Sequence, residues 1–296
     1  MSTLFTDPAW LAVIDQGLGC QSEIVSAPDA ADNTVALSGF RRGPWRAGYA
    51  NFPVGLNGEH RWFFEPFITG NGKRIATHKI DLLRINIDET DVTHWTHLTP
   101  PDQQLPDTTI PSLQAWDEST LSSDTRYKLR RSHRDGVRIR ESTTADAALV
   151  YQLYSAAIAK NSGSLRYTPR YFEALTNLAA QHRQLQIGIA EADGAPCGFI
   201  AIAHDADASY YLHGGFFAQY RKLRPGYSAM AWAIHQSIDR HSNAFHMLPS
   251  PADQAELVKF KESFLGVTTQ RLYWDIPLTA RGWALKKALQ LKARLG

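Results

Sequence analysis

Two cysteines in 296 residues set the first limit. Cys20 and Cys197 are too few for a disulfide framework and have no metal-type spacing. The histidines supply no metal site either. His241 and His246 are five apart across a turn, and no carboxylate–histidine pattern joins them. Long apolar runs are also missing. None approaches the ~20 residues that cross a bilayer, and the opening MSTLFTDPAWLAV lacks the basic-then-apolar order of a signal peptide. A reducing cytoplasm is the expected setting. Charge of one sign is absent as well: Lys plus Arg number 31 against 29 for Asp plus Glu. No overall field therefore selects nucleic acid or a membrane surface.

What the chain does have is apolar mass. It is 44% apolar and 11% aromatic, enough to bury a core in one large domain or two of ordinary size. In the first half PAWLAVIDQGL predicts a short helix stopping at Gly17. NTVALSGF, RWFFEPFI and DLLRINI have strand character, with RRGPWRAG and TGNGK as loops between them. The proline-rich stretch PPDQQLPDTTIPS, residues 100 to 112, reads as a connection over the surface.

The second half is more regular. STTADAALVYQLYSAAIAK has Ser/Thr caps, and Ala147, Val150, Tyr151, Tyr154 and Ile158 recur at helical spacing. TPRYFEALTNLAAQH is a second helix, capped by Thr168 with Pro169 in its first position. QLQIGIAEA turns at Asp193-Gly194 into CGFIAIAHD, and ASYYLHGGF completes an antiparallel meander. A helix GYSAMAWAIHQSID, a strand AFHML, a helix PADQAELVKFKESF, a strand TTQRLYWDIP and a basic amphipathic helix RGWALKKALQLKARL follow. That alternation predicts a layered α/β domain on one mixed sheet.

Two stretches are basic enough to meet phosphate. LSSDTRYKLRRSHRDGVRIR predicts a helix capped by Ser122 or Ser123 and ending at Gly136. Arg126, Arg130 and Arg134 fall on one face of it. It is either a solvated linker helix between domains or a docking surface for phosphates, work that suits the planar guanidinium fork. In YLHGGFFAQYRKLRPGYSAMAWAIHQ a strand leads through Arg221, Lys222 and Arg224 into a helix beginning near Gly226. A helix start beside basic side chains is an anion site.

These residues resemble the acyl-CoA loop of the GNAT superfamily, whose usual pattern is Arg/Gln, two residues, Gly, one residue, Gly/Ala. Arg221 and Gly226 fit, whereas Arg224 stands where the first glycine belongs. The Leu-Arg-Pro-Gly form is similar to the Fem-type (FemAB-like) branch. The arginine-rich segment resembles the piece that joins that branch's two halves. KFKESFLG resembles its aromatic-Lys-x-x-Phe-Gly element, with Phe260, Lys261, Phe264 and Gly266 in register and Leu265 an extra spacer. The match covers about residues 115 to 275. Relatives often carry Asp-x-Gly on the preceding strand, where this chain has His246, Met247 and Leu248.

The resemblance implies two tandem GNAT-like domains, each a mixed, mostly antiparallel sheet flanked by helices. The expected bounds are 1–115 on the acceptor side, 116–140 as basic linker helix and strand, and 141–296 as the acyltransferase domain, with a cleft between the two holding the acceptor. It implies transfer of an aminoacyl group from aminoacyl-tRNA to an amine of a peptide-like or cell-wall-related acceptor. Acyl-CoA-dependent N-acyl transfer and an inactive binding protein are the alternatives. No bound cofactor is implied; the tRNA acceptor end and a small amine are the expected partners. Lys261 would stabilise the oxyanion of the attacked ester, while Lys259 is a solvated lysine and Gly266 ends the helix. His213, beside the glycine pair of its strand, is a candidate base, or equally a satisfied buried histidine. The donor phosphates would meet Arg221, Lys222, Arg224, Gly226, Arg126, Arg130 and Arg134. Arg42, Trp45, Tyr49 and Tyr211 are candidates for the acceptor pocket, and the first three suit an ordinary aromatic-rich turn equally well.

Overall fold

A computed structural model describes residues 3–28, 30–69, 80–93, 95, 98–160 and 165–295. In chain order it contains α1 (Pro8–Leu18), β1 (Gln21–Ala27), β2 (Ala30–Arg42), β3 (Trp45–Ala50), α2 (Arg61–Ile68), β4 (Leu82–Asp88) and β5 (Gln103–Ile110). Next come α3 (Ser123–Arg134), β6 (Arg138–Glu141), α4 (Ala147–Lys160), α5 (Pro169–Gln181), β7 (Leu185–Ala192), β8 (Ala195–His204) and β9 (Ala208–Phe216). The chain closes with α6 (Pro225–Asp239), β10 (Ala244–Pro249), α7 (Ala255–Glu262), β11 (Val267–Pro277) and α8 (Ala280–Leu295).

These elements form two compact units, residues 1–106 with 269–296, and residues 107–268. The bounds differ from those expected. The basic helix α3 is part of the second unit rather than a linker, and the last strand and helix group with the first. In the first unit β1, β2 and β3 are antiparallel neighbours, β3 and β4 run parallel, and β4 is antiparallel to β11. In the second, β6, β7, β8 and β9 are successive antiparallel neighbours, β10 lies parallel to β9, and β5 is antiparallel to β10. Both are mixed, mostly antiparallel sheets flanked by helices, the architecture the resemblance implies.

Three stretches depart from the sequence expectation, each for a physical reason. RWFFEPFI is the helix α2, not a strand. Its buried residues, Phe63, Phe64 and Ile68, follow helical spacing, and their burial outweighs the backbone bond lost at Pro66. Residues 103–110 form β5, not a surface connection. Its polar side chains are bonded: Thr108 Oγ1 lies 3.0 Å from Thr268 Oγ1, and Thr109 Oγ1 lies 2.9 Å from His246 Nδ1. A buried polar strand of this kind has no apolar alternation to announce it. RRGPWRAG is a hairpin rather than a loop, with Arg41 opposite Arg46 and Arg42 opposite Trp45 across a two-residue Gly43-Pro44 turn. Gly43 supplies the positive φ of +58° there. TGNGK falls almost wholly outside the described residues.

Each unit has its own core. Phe63, Phe64, Ile68, Leu83, Ile85, Ile87 and Trp274 anchor the first, and Leu129, Ile200, Ile202, Ile234, Phe245, Met247 and Phe264 the second. Among the described residues no helix is long and apolar enough to cross a membrane.

Candidate active site

Helix α3 forms as its sequence prescribes. The Ser122 hydroxyl accepts from the Thr125 N–H at 3.1 Å, Arg131, His133 and Arg134 complement the negative end of the helix, and Gly136 leaves it at φ +86°. One face is buried through Thr125, Leu129 and Ser132. Ser132 then joins two stretches 92 residues apart: its hydroxyl donates to the Arg224 carbonyl at 3.1 Å and accepts from Ser228 Oγ at 2.9 Å. The guanidinium of Arg224 lies 5.9 Å from the Tyr127 ring, and the Lys128 ammonium 5.4 Å from the Tyr227 ring. The two basic segments read separately in the sequence are thus one surface.

At the start of α6, a 3-10 turn over Ala218–Leu223 delivers the chain to Arg224, which has φ 56° and ψ 44°. This is the left-handed conformation a glycine takes most readily. Arg224 therefore adopts a backbone usual for glycine and brings a cation to the helix start. Pro225 opens α6 with its φ preset. Arg221 and Lys222 are exposed beside it, and Arg224 Nη1 donates to the Lys222 carbonyl at 2.9 Å. Gly226 is not demanded by packing, since a Cβ there would meet only Phe260 Cζ at 3.8 Å and Phe216 ring atoms at 4.0 Å.

Phe260 ties this helix start to α7. Tyr227 packs edge-on against it at 5.3 Å and lies 5.8 Å from Phe264, and the two phenylalanines are 5.4 Å apart. Between them Lys261 points inward. It is only 2% exposed, and Nζ donates to the Leu248 carbonyl. Leu248 also has a left-handed backbone, φ +57°. The register between β10 and β5 slips at this point, between His246 and Pro249. Burial pushes the Lys261 ammonium down to about 8, with the buried carboxylate of Asp107 pulling the other way. Lys261 is thus a buried cation held on a backbone carbonyl.

The neighbouring lysine behaves as expected: Lys259 is exposed and paired with Glu256 at 2.8 Å. Gly266 does not. The helix ends at Glu262, and the left-handed residue is Leu265, φ +69°. Gly266 is required for room, because a Cβ there would lie 2.5 Å from Thr108 Cγ2 and 2.9 Å from the Lys261 carbonyl oxygen.

Of the arginine face, Arg130 and Arg134 are exposed, while Arg126 donates to the Ser119 carbonyl at 2.9 Å. Arg140 is held by Asp146 at 2.8 Å and Glu191 at 2.7 Å and serves the fold. His213 has the surroundings of a satisfied core histidine. Its Nε2 lies 2.8 Å from the Tyr171 hydroxyl amid the rings of Tyr154, Tyr167 and Phe172, and burial pushes it down to about 3. Tyr211 is separated from it by a bulge: Ala201 pairs with His213 and Ile202 with Tyr211. Tyr211 packs into the core with α6, burial raising its hydroxyl to about 12. In the first unit Trp45 and Tyr49 lie on β3 and pack against Ala47, Leu82, Leu285 and Leu289. Arg42 pairs through its backbone with Trp45; its side chain lies outside the described residues. Both cysteines are buried, which raises each thiol, Cys197 to about 11.

Sequence reasoning missed Asp107, hidden in the stretch expected to be a surface connection, and Leu248, whose side chain gives no sign of its backbone. It also missed the Ser132–Ser228 contact, for which no local signal exists.

Residues 121–261 match a family model described as an acetyltransferase (GNAT) domain. Among solved structures, a crystal structure of FemX aligns over 97% of this chain and 94% of its own, at 10% identity and a TM-score of 0.66. The C-terminal domain of a putative lysylphosphatidylglycerol synthetase from Agrobacterium fabrum aligns over 96% and 92%, at 12% identity and a TM-score of 0.59. A tandem GNAT protein from the clavulanic acid biosynthesis pathway aligns over 87% and 82%, at 10% identity and a TM-score of 0.51. At such identities the likeness is one of fold. No curated protein sequence matches the chain.

Proposed function

From the premise that this chain carries a GNAT acyltransferase domain on a fold shared with FemX, we propose that it transfers an aminoacyl group from aminoacyl-tRNA to the amine of a small acceptor. A peptide-like or cell-wall-related amine is the acceptor class this reading takes. The observation that carries it is the convergence of α3 with the start of α6. Exposed Arg130 and Arg134 lie on α3, Lys128 lies against Tyr227, and exposed Arg221 and Lys222 precede an α6 start capped by Arg224 instead of a phosphate-cradling glycine. A polyanion spread over several phosphates suits that surface better than one pyrophosphate.

The reaction needs no nucleophile from the protein. The acceptor nitrogen attacks the ester carbonyl, the new C–N bond forms, the C–O bond to the terminal ribose breaks, and the amine's proton ends on the departing hydroxyl. Negative charge gathers on the carbonyl oxygen and then on the ribose oxygen. Lys261, joined to the α6 start through Phe260 and Tyr227, is the cation that answers this charge. His213 is a packing group in this reading.

The test is transfer of a radiolabelled amino acid to a panel of amines with tRNA and its synthetase present. The reading expects amide product that ribonuclease abolishes, and turnover lost in Lys261→Ala while tRNA binding remains. Product formed from acyl-CoA alone and indifferent to ribonuclease would replace it with a CoA-dependent N-acyltransferase. Ligand binding without turnover in any arm would leave a binding protein.

A further inference from the structure

Helix α8 has two faces, and acyl transfer uses neither. The inward face fixes its rotation on the first unit. Gly282 sits so close to Asp81 that a Cβ would lie 1.8 Å from the Asp81 carbonyl oxygen. Leu285 is buried against Ala47 and Leu82, with Leu289 packed on the same cluster. Lys286 Nζ donates to Asp102 Oδ2 at 2.7 Å and to the Asp275 carbonyl at 2.8 Å.

The outward face is unusual in composition. At 3.6 residues per turn, Trp283, Lys287 and Leu291 fall on one strip, with Ala280, Ala284 and Ala288 filling it. Trp283 is 54% and Leu291 59% exposed. Lys287 and Arg281 are exposed in and beside the strip, and the helix contains no acidic residue. Trp45, at the β2–β3 turn, packs on the same cluster as Leu285 and Leu289.

The charge of this face discriminates among occupants. A second copy of the same face would set basic helix against basic helix. Nucleic acid would pair with the cations but gain little from covering Leu291 and three alanines. An anionic lipid surface matches both chemistries, since tryptophan and leucine lie at the headgroup–acyl boundary while lysine and arginine meet lipid phosphates. We propose that the outward face of α8 docks on an anionic bilayer surface, seated by Trp283 and Leu291 and held by Lys287 and Arg281. This is surface attachment, not a crossing, and it stands independently of the donor and acceptor of the reaction.

The test is sedimentation of the full chain with vesicles of phosphatidylcholine, with and without phosphatidylglycerol. Binding is expected only with phosphatidylglycerol and is weakened by salt. The exposed double variant Trp283→Ala/Leu291→Ala should bind at least about tenfold more weakly, and Lys287→Gln about fivefold, with thermal midpoints unchanged. Three results would each overturn the proposal: no binding by the parent chain, equal binding by the variants, or variants that lose self-association or tRNA binding but keep vesicle binding.

Discussion

In the proposed reaction Lys261 would couple chemistry to stability in opposite directions. Its pKa is pulled down by burial to about 8 in the fold, against roughly 10.4 in an unfolded chain. Between those values the unfolded chain holds the proton and the native one does not, so stability rises as pH increases from about 8 to about 10. Below that window both states are protonated, and the fold bears the full cost of the buried cation, on the order of 3 kcal/mol. The acyl-transfer role proposed for Lys261 needs the cation, so on that proposal kcat should fall with one proton as pH rises through about 8. Denaturant midpoints and rate profiles over this range should therefore move oppositely, and Lys261→Ala should flatten the first. Parallel curves would remove Lys261 from the reaction. The aromatic-Lys-x-x-Phe pattern singled out the lysine that is buried, Lys261, from the exposed Lys259. Its partners were not legible. Leu248 and Arg224 hold left-handed backbones, and a non-glycine residue gives no sequence sign that it will accept a strain of about 1 kcal/mol or more.

Two glycines, one past α7 and one at the start of α6, allow folding to be tested apart from the proposed function. At the end of α7, Gly266 faces Thr108 Cγ2 and the Lys261 carbonyl at distances no Cβ tolerates. Gly266→Ala should lower stability by about 1–3 kcal/mol through forced displacement. At the start of α6, Gly226 has ordinary room around it, and alanine there should raise helix stability by roughly 0.5–1 kcal/mol. If the donor's phosphates approach this backbone, Gly226→Ala will raise KM for the donor while the melting temperature stays level or climbs. An unchanged KM would place the donor elsewhere. At this scale the sequence was most readable where caps and periodicity agreed, as in α3, α5 and the β7–β9 meander. It was least readable where a tertiary surface decided the element: α2 is helical because Phe63, Phe64 and Ile68 enter a core, and β5 is a strand because Thr108 and Thr109 find partners distant in sequence.

At the scale of the molecule, the second unit was the legible one, and for a simple reason. Its motifs lie in one run of chain, so order alone assembles them. The first unit is built from two separated pieces, and no local pattern in TTQRLYWDIP reveals that it will pair with DLLRINI. Residues 271 to 277 lie antiparallel to residues 82 to 88, and Arg84 grips Asp275 through two 2.7 Å bonds. Truncation after residue 268 should accordingly leave residues 1–106 without a closed sheet. Limited proteolysis of that fragment should cut rapidly within 1–106 and slowly within 107–268; equal resistance of both would show that β11 is dispensable. The same arrangement imposes an order on biosynthesis. As the chain leaves the ribosome, β4 emerges early and waits with an unpaired edge, a site of unwanted strand pairing, until the whole second unit has been made. The unit translated first is therefore the unit completed last, and it is in that interval that the nascent protein most needs a chaperone.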